Sequence, residues 1–308
     1  MKIQTLSIIV GGTACNAQCP FCVSRMTGKM GLKNPKKQQE PNWANFDKAV
    51  HFAQNSGVST VMLTGKGEPT LWPHLIYKYL NRLSCTHNPT RVSAFPFVEM
   101  QTNATLLDLN KTIKIIGEDV EQTWEDALTS WHRLGLNTIA ISVAHWDRKY
   151  NAKIYGGKHF DLSKKIEDLH GLGFSIRLNC VLTKDGVNQA DDYLQMVNFC
   201  KINKVEQLTF TPVTKPIKRK NNLGIYDWTT ENHASMDEFN MFFKTLEDKG
   251  TRLIELPHGA VIFDYDGQNV CMSNCLVQET YKSYMRNLIF FPDGKLRFRW
   301  DAEGSVLL

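Results

Sequence analysis

The chain has 308 residues, of which 42% are hydrophobic and 22% are charged, and this balance excludes an intrinsically disordered protein. Its net charge of +5 suits an anionic substrate but falls short of the dense basicity of a dedicated nucleic-acid-binding protein. The charge alone does not exclude nucleic acid as a partner. The apolar run near the start, residues 6–10, is too short for a signal peptide or a membrane span, which predicts a cytoplasmic protein with no membrane partner.

Strand-like runs alternate with helix-compatible segments through the first two-thirds of the chain. β-Branched and apolar residues are enriched in the strands, and amphipathic periodicity marks the helices. This alternation predicts an α/β fold with a parallel sheet, in which functional side chains gather at the carboxyl ends of the strands. The predicted strands are residues 3–10, 60–64, 97–101, 138–143, 175–182 and 207–211. The predicted helices are residues 43–55, 71–83, 122–134, 162–172 and 190–202.

The alternation stops after the sixth predicted strand, where Pro212, Pro216 and a basic run follow. We therefore predict two domains, residues 1–214 and a small α+β extension over residues 215–308. Residues 292–294, Pro-Asp-Gly, predict the turn of a hairpin between the last two strands. The extension is predicted to hold a helix over residues 235–246 and strands over residues 252–256, 261–265, 287–291 and 295–300.

Three cysteines lie close together just after the first predicted strand, at Cys15, Cys19 and Cys22. Such spacing in a reducing compartment indicates metal binding or catalysis rather than disulfides. Three thiolates can bind three irons of a [4Fe–4S] cubane and leave the fourth iron open, which makes the site reactive. The alternative is a structural zinc ion with a fourth protein ligand, in a non-catalytic, zinc-stabilised binding protein.

A glycine-rich turn with a carboxylate follows the second predicted strand, from Gly65 through Lys66, Gly67 and Glu68 to Pro69. Glycines let the backbone approach a ligand closely, and a carboxylate accepts hydrogen bonds from an ammonium group. Glu68 is therefore a candidate ligand-binding residue. The alternative is a structural role in which Glu68 caps the helix that follows.

With these two motifs in this order, the sequence resembles the radical SAM superfamily. The cysteine spacing is the family's hallmark, often with an aromatic residue before the last cysteine, here Phe21. The turn at Glu68 resembles the family's Gly-Glu-Pro element, although Lys66 separates the two glycines. Residues 99–104 resemble the Thr-Asn-Gly end of the third strand in the subgroup of the molybdenum-cofactor enzyme MoaA and the glycyl-radical activases, with Ala104 in place of the glycine.

The resemblance implies a partial (β/α)6 radical SAM barrel, with the C-terminal extension covering its rim or substrate side. It implies a [4Fe–4S] cluster held by Cys15, Cys19 and Cys22, with S-adenosyl-L-methionine (SAM) as the second cofactor. A one-electron reductant such as flavodoxin or ferredoxin would drive cleavage of SAM to a 5′-deoxyadenosyl radical, which abstracts hydrogen from a substrate. The enzyme would be oxygen-sensitive. The residues implied in SAM binding are Phe21, Gly67, Glu68, Asn103, Ser142 and Asn179.

Two groups of basic residues follow the cysteine motif and the sixth predicted strand. If they converge, they favour an anionic or nucleotide-like small molecule as substrate. Their alternative role is to keep surface loops soluble. A peptide- or protein-modifying enzyme and an RNA-modifying enzyme of the same family also stay open. The two groups are Lys29, Lys33, Lys36 and Lys37, and Lys215, Lys218, Arg219 and Lys220.

Another pair of cysteines lies in the C-terminal region, at Cys271 and Cys275. Two thiols four residues apart are a candidate auxiliary metal site, although family members with extra clusters carry at least three cysteines there. The remaining cysteines, Cys85, Cys180 and Cys200, are predicted to be small buried hydrophobic residues.

Overall fold

The computed structural model describes residues 2–27, 30–32, 40–85, 95–114, 121–157, 159–213, 215–218, 222–273 and 284–308. The helices are α1 Val23–Met26, α2 Trp43–Asn55, α3 Pro73–Cys85, α4 Trp124–Arg133, α5 Arg148–Tyr155, α6 Leu162–Gly171, α7 Ala190–Ile202, α8 Leu223–Asn232 and α9 Met236–Lys249, with a 3-10 turn at Pro69–Leu71. The strands are β1 Lys2–Ile9, β2 Thr60–Thr64, β3 Phe97–Thr102, β4 Thr112–Lys114, β5 Glu121–Thr123, β6 Thr138–Val143, β7 Ser175–Leu182, β8 Gln207–Pro212, β9 Thr251–Glu255, β10 Val261–Tyr265, β11 Gln268–Met272, β12 Tyr284–Phe290 and β13 Leu296–Arg297. None of the described helices is long and apolar enough to cross a membrane.

Six parallel strands form the centre of the main sheet, which runs in the order β13-β12-β1-β2-β3-β6-β7-β8-β11-β10-β9. Helices lie between consecutive parallel strands: α2 between β1 and β2, α3 between β2 and β3, and α4 between β3 and β6. Helices α5 and α6 lie between β6 and β7, and α7 lies between β7 and β8. Each connection is therefore a β-α-β crossover, as parallel neighbours require. No pairing of β1 with β8 is present in the described ranges, so these strands form an open, partial (β/α)6 barrel. The predicted fold class is confirmed.

Strands from the C-terminal region continue this sheet at both edges. β12 pairs in parallel with β1, and β11 pairs in parallel with β8. The predicted hairpin between β12 and β13 is confirmed, with an antiparallel pair and a Gly294 φ of 80° at its turn. Strands from both sides of residue 214 thus belong to one sheet, and the division of the chain into two domains at that residue stays a prediction.

The two faces of the sheet differ in chemistry, and the difference positions the site. Along β7 the side chains of Ile176, Leu178, Cys180 and Leu182 are buried, whereas the alternating residues are half-buried. The buried set belongs to the core that packs beneath the helices. Fully burying one such aliphatic side chain is worth about 1.5–3 kcal/mol, so this face decides how the strands associate.

The other face, here called the inner face, carries polar side chains in rows across neighbouring strands. One row runs through Gln101, Arg177 and Gln207, with the apolar Ala140 between the first two, and the next row runs through Ser142, Asn179 and Thr209. Arg177 donates to Glu99 across the sheet at 2.5 Å, and Gln101 donates to the same carboxylate at 3.2 Å. A polar inner face enclosed by an apolar shell is suited to holding a hydrogen-bonding ligand.

Several elements differ from the sequence prediction. The helix expected from residue 71 begins at Pro73 after a separate 3-10 turn, because proline favours the first turn of a helix. The last strand is only Leu296–Arg297. Strand β11, helices α5 and α8, and the small β4–β5 sheet were not predicted. α5 has eight residues and its stability comes from an Asp147 cap and tertiary packing rather than from periodicity.

Candidate cluster- and SAM-binding site

The loop after β1 carries the three cysteines at the carboxyl end of the parallel strands. Cys15 is exposed, and Cys19 and Cys22 are half-buried. The Cys22 amide donates to the Cys19 carbonyl at 3.3 Å, and α1 begins directly after Cys22. The Gln18 amide donates to the Tyr155 carbonyl at 2.9 Å, which ties the middle of the loop to the end of α5.

The electrostatics of the thiols fit a cationic centre. Burial, together with the neighbouring Cys22 and Cys15, raises the pKa of Cys19 to about 12. Burial also raises the pKa of Cys15, and Glu68 and Cys22 oppose its ionisation as well. Three thiolates in this loop repel one another until a positively charged centre binds them.

The described His, Cys, Asp and Glu side chains include no group of three that converges on one metal ion. Three soft thiolates from one short loop are a donor set that fits an iron–sulfur cluster at Cys15, Cys19 and Cys22, in which each cysteine would bind a different iron.

Glu68 lies buried between three loops, with 3% of its surface exposed. One carboxylate oxygen accepts from the Thr70 amide at 3.0 Å, the Thr70 hydroxyl at 2.7 Å and the Thr102 hydroxyl at 2.6 Å. The other oxygen accepts from the Asn103 amide at 2.9 Å. Burial raises the pKa of Glu68, and these hydrogen bonds lower it. Glu68 thus caps the 3-10 turn, as the structural alternative stated, and its second oxygen retains capacity for another donor.

Gly67 sits where a side chain has no space. A Cβ at this position would lie 2.0 Å from the Ala14 carbonyl oxygen. The next amide, that of Glu68, donates to the same oxygen at 2.9 Å. The glycine therefore lets the turn after β2 pack directly on the cysteine loop, which joins the two sequence motifs into one unit.

Asn103 connects the end of β3 to the cysteine loop. Its side-chain amide donates to Asn16 at 2.9 Å and lies 4.0 Å from the Cys15 sulfur. Its oxygen accepts from the Thr105 amide at 3.0 Å. Ala104 follows with a φ of 56°, a left-handed conformation that glycine adopts without strain.

The remaining predicted SAM-binding residues are Ser142, Asn179 and Phe21. Ser142 and Asn179 are paired neighbours on β6 and β7, both half-buried on the inner face. Phe21 packs against Tyr155 and Trp228, at centroid distances of 6.4 and 5.8 Å. SAM contacts by these residues stay predictions.

The other cysteines separate into different environments. Cys271 is buried on β11, paired in register with Thr209 and so in the inner-face row of Ser142 and Asn179. Cys275 lies outside the described residues, as does the side chain of Cys85. Cys180 and Cys200 are fully buried in the apolar core. An auxiliary site at Cys271 and Cys275 stays a prediction.

The predicted basic groups are only partly described. Lys215 and Lys218 place their ammonium groups over the Tyr226 ring, at 4.9 and 5.1 Å from its centroid. The rest of the two groups, Lys29, Lys33, Lys36, Lys37, Arg219 and Lys220, lie outside the described residues.

Sequence reasoning missed three residues that build this region. The buried Asn151 accepts from the Ala144 and His145 amides at 2.9 and 3.2 Å and donates to the His145 carbonyl at 2.6 Å. Tyr155 and Trp228 pack around the cysteine loop from α5 and α8. No sequence signal marks them, because their roles depend on contacts with distant segments.

Comparison with solved structures agrees with this fold. A structure of SuiB from Streptococcus suis bound to S-adenosylmethionine is similar with a TM-score of 0.54 and 16% identity, covering 96% of this chain and 60% of that one. Native anSMEcpe with bound AdoMet is similar with a TM-score of 0.51 and 16% identity, covering 80% of this chain and 60% of that one. A radical SAM methyltransferase from Sphaerobacter thermophilus gives a TM-score of 0.51 and 12% identity, with coverages of 79% and 63%.

These identities establish similarity of fold, and the chain spans about 60% of the length of the SuiB and anSMEcpe chains. No curated protein matches the chain. The model of the radical SAM superfamily matches residues 9–199, which include the cysteine loop, the Gly-Glu-Pro turn and most of the parallel sheet. The chain belongs to the radical SAM superfamily, whose enzymes use a [4Fe–4S] cluster and SAM.

Proposed function

We propose that the protein is a radical SAM enzyme that abstracts hydrogen from an anionic or nucleotide-like small molecule. A bound and reduced cluster would supply the electron that cleaves SAM to methionine and a 5′-deoxyadenosyl radical. Cys15, Cys19 and Cys22 would hold the cluster. The second carboxylate oxygen of Glu68 would accept a hydrogen bond from the ammonium group of SAM. Asn103, Ser142 and Asn179 would provide further polar contacts at the carboxyl ends of the strands.

A pair of buried cations carries the substrate proposal. Lys66 follows β2 and has 3% of its surface exposed, and Arg297, opposite the end of β12, has 4% exposed. Burial and the nearby Arg297 lower the pKa of Lys66 to about 8. Asp293 pairs with Arg297 through contacts of 3.0 and 2.8 Å, whereas the Lys66 ammonium group donates to the Thr27 hydroxyl at 3.3 Å. A carboxylate or phosphate group in this low-dielectric region would be strongly attracted.

The C-terminal region supports the idea that the extension covers the rim. Trp228 of α8 packs on Phe21 of the cysteine loop. Arg297 of β13 is near enough to lower the pKa of Lys66 in the turn after β2. Both observations place residues of the extension near the loops at the carboxyl ends of the strands. A one-electron reductant such as flavodoxin or ferredoxin is the proposed electron donor.

The class of reaction is tested by anaerobic reconstitution, iron and sulfide analysis, and measurement of 5′-deoxyadenosine after addition of SAM and dithionite. About four irons per chain and SAM cleavage that Cys22→Ala abolishes would support the proposal, and about eight irons would support an auxiliary cluster. Cys200→Ala, a change in the core, is the matched control and should keep its iron. A colourless, zinc-containing protein that leaves SAM intact would contradict it.

The substrate class is tested by substrate-stimulated formation of 5′-deoxyadenosine. Phosphate- and carboxylate-bearing metabolites are compared with their neutral analogues, and Lys66→Met is compared with the wild type. We expect stimulation by anionic compounds and a rise in their KM of about tenfold in Lys66→Met. Stimulation by peptides or by RNA, with no effect of small anions, would instead support the peptide- or RNA-modifying alternative.

A further inference from the structure

The hydroxyl group of Tyr155 is enclosed next to the cysteine loop without a hydrogen-bond partner. Tyr155 ends α5 and has 5% of its surface exposed. Within the part of the chain that the structure describes, its hydroxyl oxygen is buried and bonds to nothing. A buried hydroxyl without a partner costs about 1–3 kcal/mol, so a hydrogen-bond acceptor beside it would stabilise the protein.

The position of Tyr155 is set by the cysteine loop itself. Its carbonyl accepts from the Gln18 amide at 2.9 Å, and its ring meets Phe21 edge-to-face at 6.4 Å. Tyr155 belongs to a small buried cluster with Ala17, against which the Cys19 side chain packs. Residues on both sides of Cys19 therefore hold the tyrosine in place.

Cys19 is the thiol that packs against the small buried cluster to which Tyr155 belongs. The Cys180 thiol, in contrast, lies in the main apolar core. Cys180 is a core thiol whose own pKa burial raises strongly, so it stays neutral and is a weak acceptor. Cys19 becomes a full thiolate once it binds iron, which makes it the stronger acceptor.

We propose that Tyr155 donates a hydrogen bond to the Cys19 thiolate in the cluster-loaded protein and thereby raises the reduction potential of the [4Fe–4S] cluster. Hydrogen bonds to cluster sulfurs are among the factors that set such potentials. The reduced cluster carries one more negative charge than the oxidised cluster, so a donor stabilises the reduced form more. Tyr155 is a positioning and tuning residue rather than a catalytic one. The inference rests on the proposed function, because it requires the cluster.

The test compares Tyr155→Phe with Tyr150→Phe in anaerobically reconstituted protein. Phenylalanine keeps the ring contact with Phe21 and removes only the hydroxyl. Tyr150 lies on the same helix, but its hydroxyl already bonds to the Thr183 hydroxyl at 2.7 Å, so its loss should not reach the cluster. The cluster is titrated with redox mediators, and the reduced fraction is measured by electron paramagnetic resonance.

For Tyr155→Phe we expect the ratio of reduced to oxidised cluster at a given potential to fall about tenfold, which is 59 mV for a one-electron couple. Tyr150→Phe should leave the ratio unchanged. Hyperfine spectroscopy of the reduced protein in D2O should lose one exchangeable deuteron coupling in Tyr155→Phe alone. An unchanged ratio in Tyr155→Phe would overturn the inference, and so would an unchanged deuteron coupling.

If Tyr155→Phe does not load a cluster, wild-type protein containing 3-fluorotyrosine provides the second test. Fluorotyrosine is a stronger hydrogen-bond donor, so the ratio should shift in the opposite direction, and its shift should persist in the Tyr150→Phe background. An unshifted ratio in the fluorotyrosine protein would again overturn the inference.

If the wild-type protein binds no cluster at all, the proposed function is wrong and this inference is wrong with it. A normal cluster with an unaltered potential in Tyr155→Phe contradicts this inference alone.

Discussion

The Asn103 amide donates to the Glu68 carboxylate at 2.9 Å, and this bond joins the loop after β3 to the turn after β2. The Glu68 amide in turn donates to the Ala14 carbonyl in the cysteine loop at 2.9 Å. Three loops from three neighbouring strands therefore meet at one buried carboxylate. A site built in this way holds the residues proposed to bind the cofactors in fixed relative positions before any ligand arrives.

Glu68→Gln should destabilise the protein by about 2–3 kcal/mol, because the new amide group turns an acceptor of several hydrogen bonds into a donor facing other donors. The measurement is the free energy of unfolding in urea for the polypeptide without cofactors. Glu121→Gln changes an exposed carboxylate on β5 and is the control, with an expected change below about 0.5 kcal/mol. Equal stabilities of the two variants would contradict a structural role for Glu68.

Because of Lys66, the free energy of unfolding should change with pH in the alkaline range. Its pKa is lowered from 10.5 to about 8 in the folded chain, mainly by burial. The neutral amine is therefore favoured in the folded state, and stability is gained as the pH rises from about 8 towards 10.5. The wild type should become more stable relative to Lys66→Met across this window, as measured by urea unfolding at each pH. A difference that stays constant with pH would show that the amine keeps its ordinary pKa.

Asn151→Ala should cost about 2–4 kcal/mol, because it leaves two backbone amides and one carbonyl of the loop between β6 and α5 without their partner. The same loop leads into α5, which contacts the cysteine loop, so reconstituted iron per chain should also fall. Asn110→Ala, at an exposed position, is the control for both measurements. Retention of wild-type stability and iron content by Asn151→Ala would disprove this role.

Ala104→Gly should stabilise the protein by about 1 kcal/mol, because glycine adopts the φ of 56° at this turn without the steric cost that a Cβ imposes. Ala152→Gly inside α5 should instead destabilise the protein, because glycine within a helix costs about 0.5–1 kcal/mol of stability. Thermal unfolding of the three proteins measures both changes. A loss of stability in Ala104→Gly would mean that the methyl group makes packing contacts that outweigh the strain.

Sequence patterns with a local cause predicted much of the barrel. The observed bounds of β2, β6, β7, α2 and α7 agree with the predicted residues 60–64, 138–143, 175–182, 43–55 and 190–202. In β7 the alternation of apolar and polar residues reports directly which side chains face the core. The elements that were missed, such as β11, lack that contrast and exist because β8 and β10 pair with them.

The sequence by itself determined the family, the alternating α/β architecture, and the three cysteines and glycine-rich turn, because each is encoded within a short stretch of chain. Only the tertiary structure decided that Glu68 bonds to Thr102 and Asn103, that β11 and β12 join opposite edges of the sheet, and that Tyr155 stands beside Cys19. These relationships join residues far apart in sequence. They arise from strand register and side-chain packing, which local periodicity does not encode.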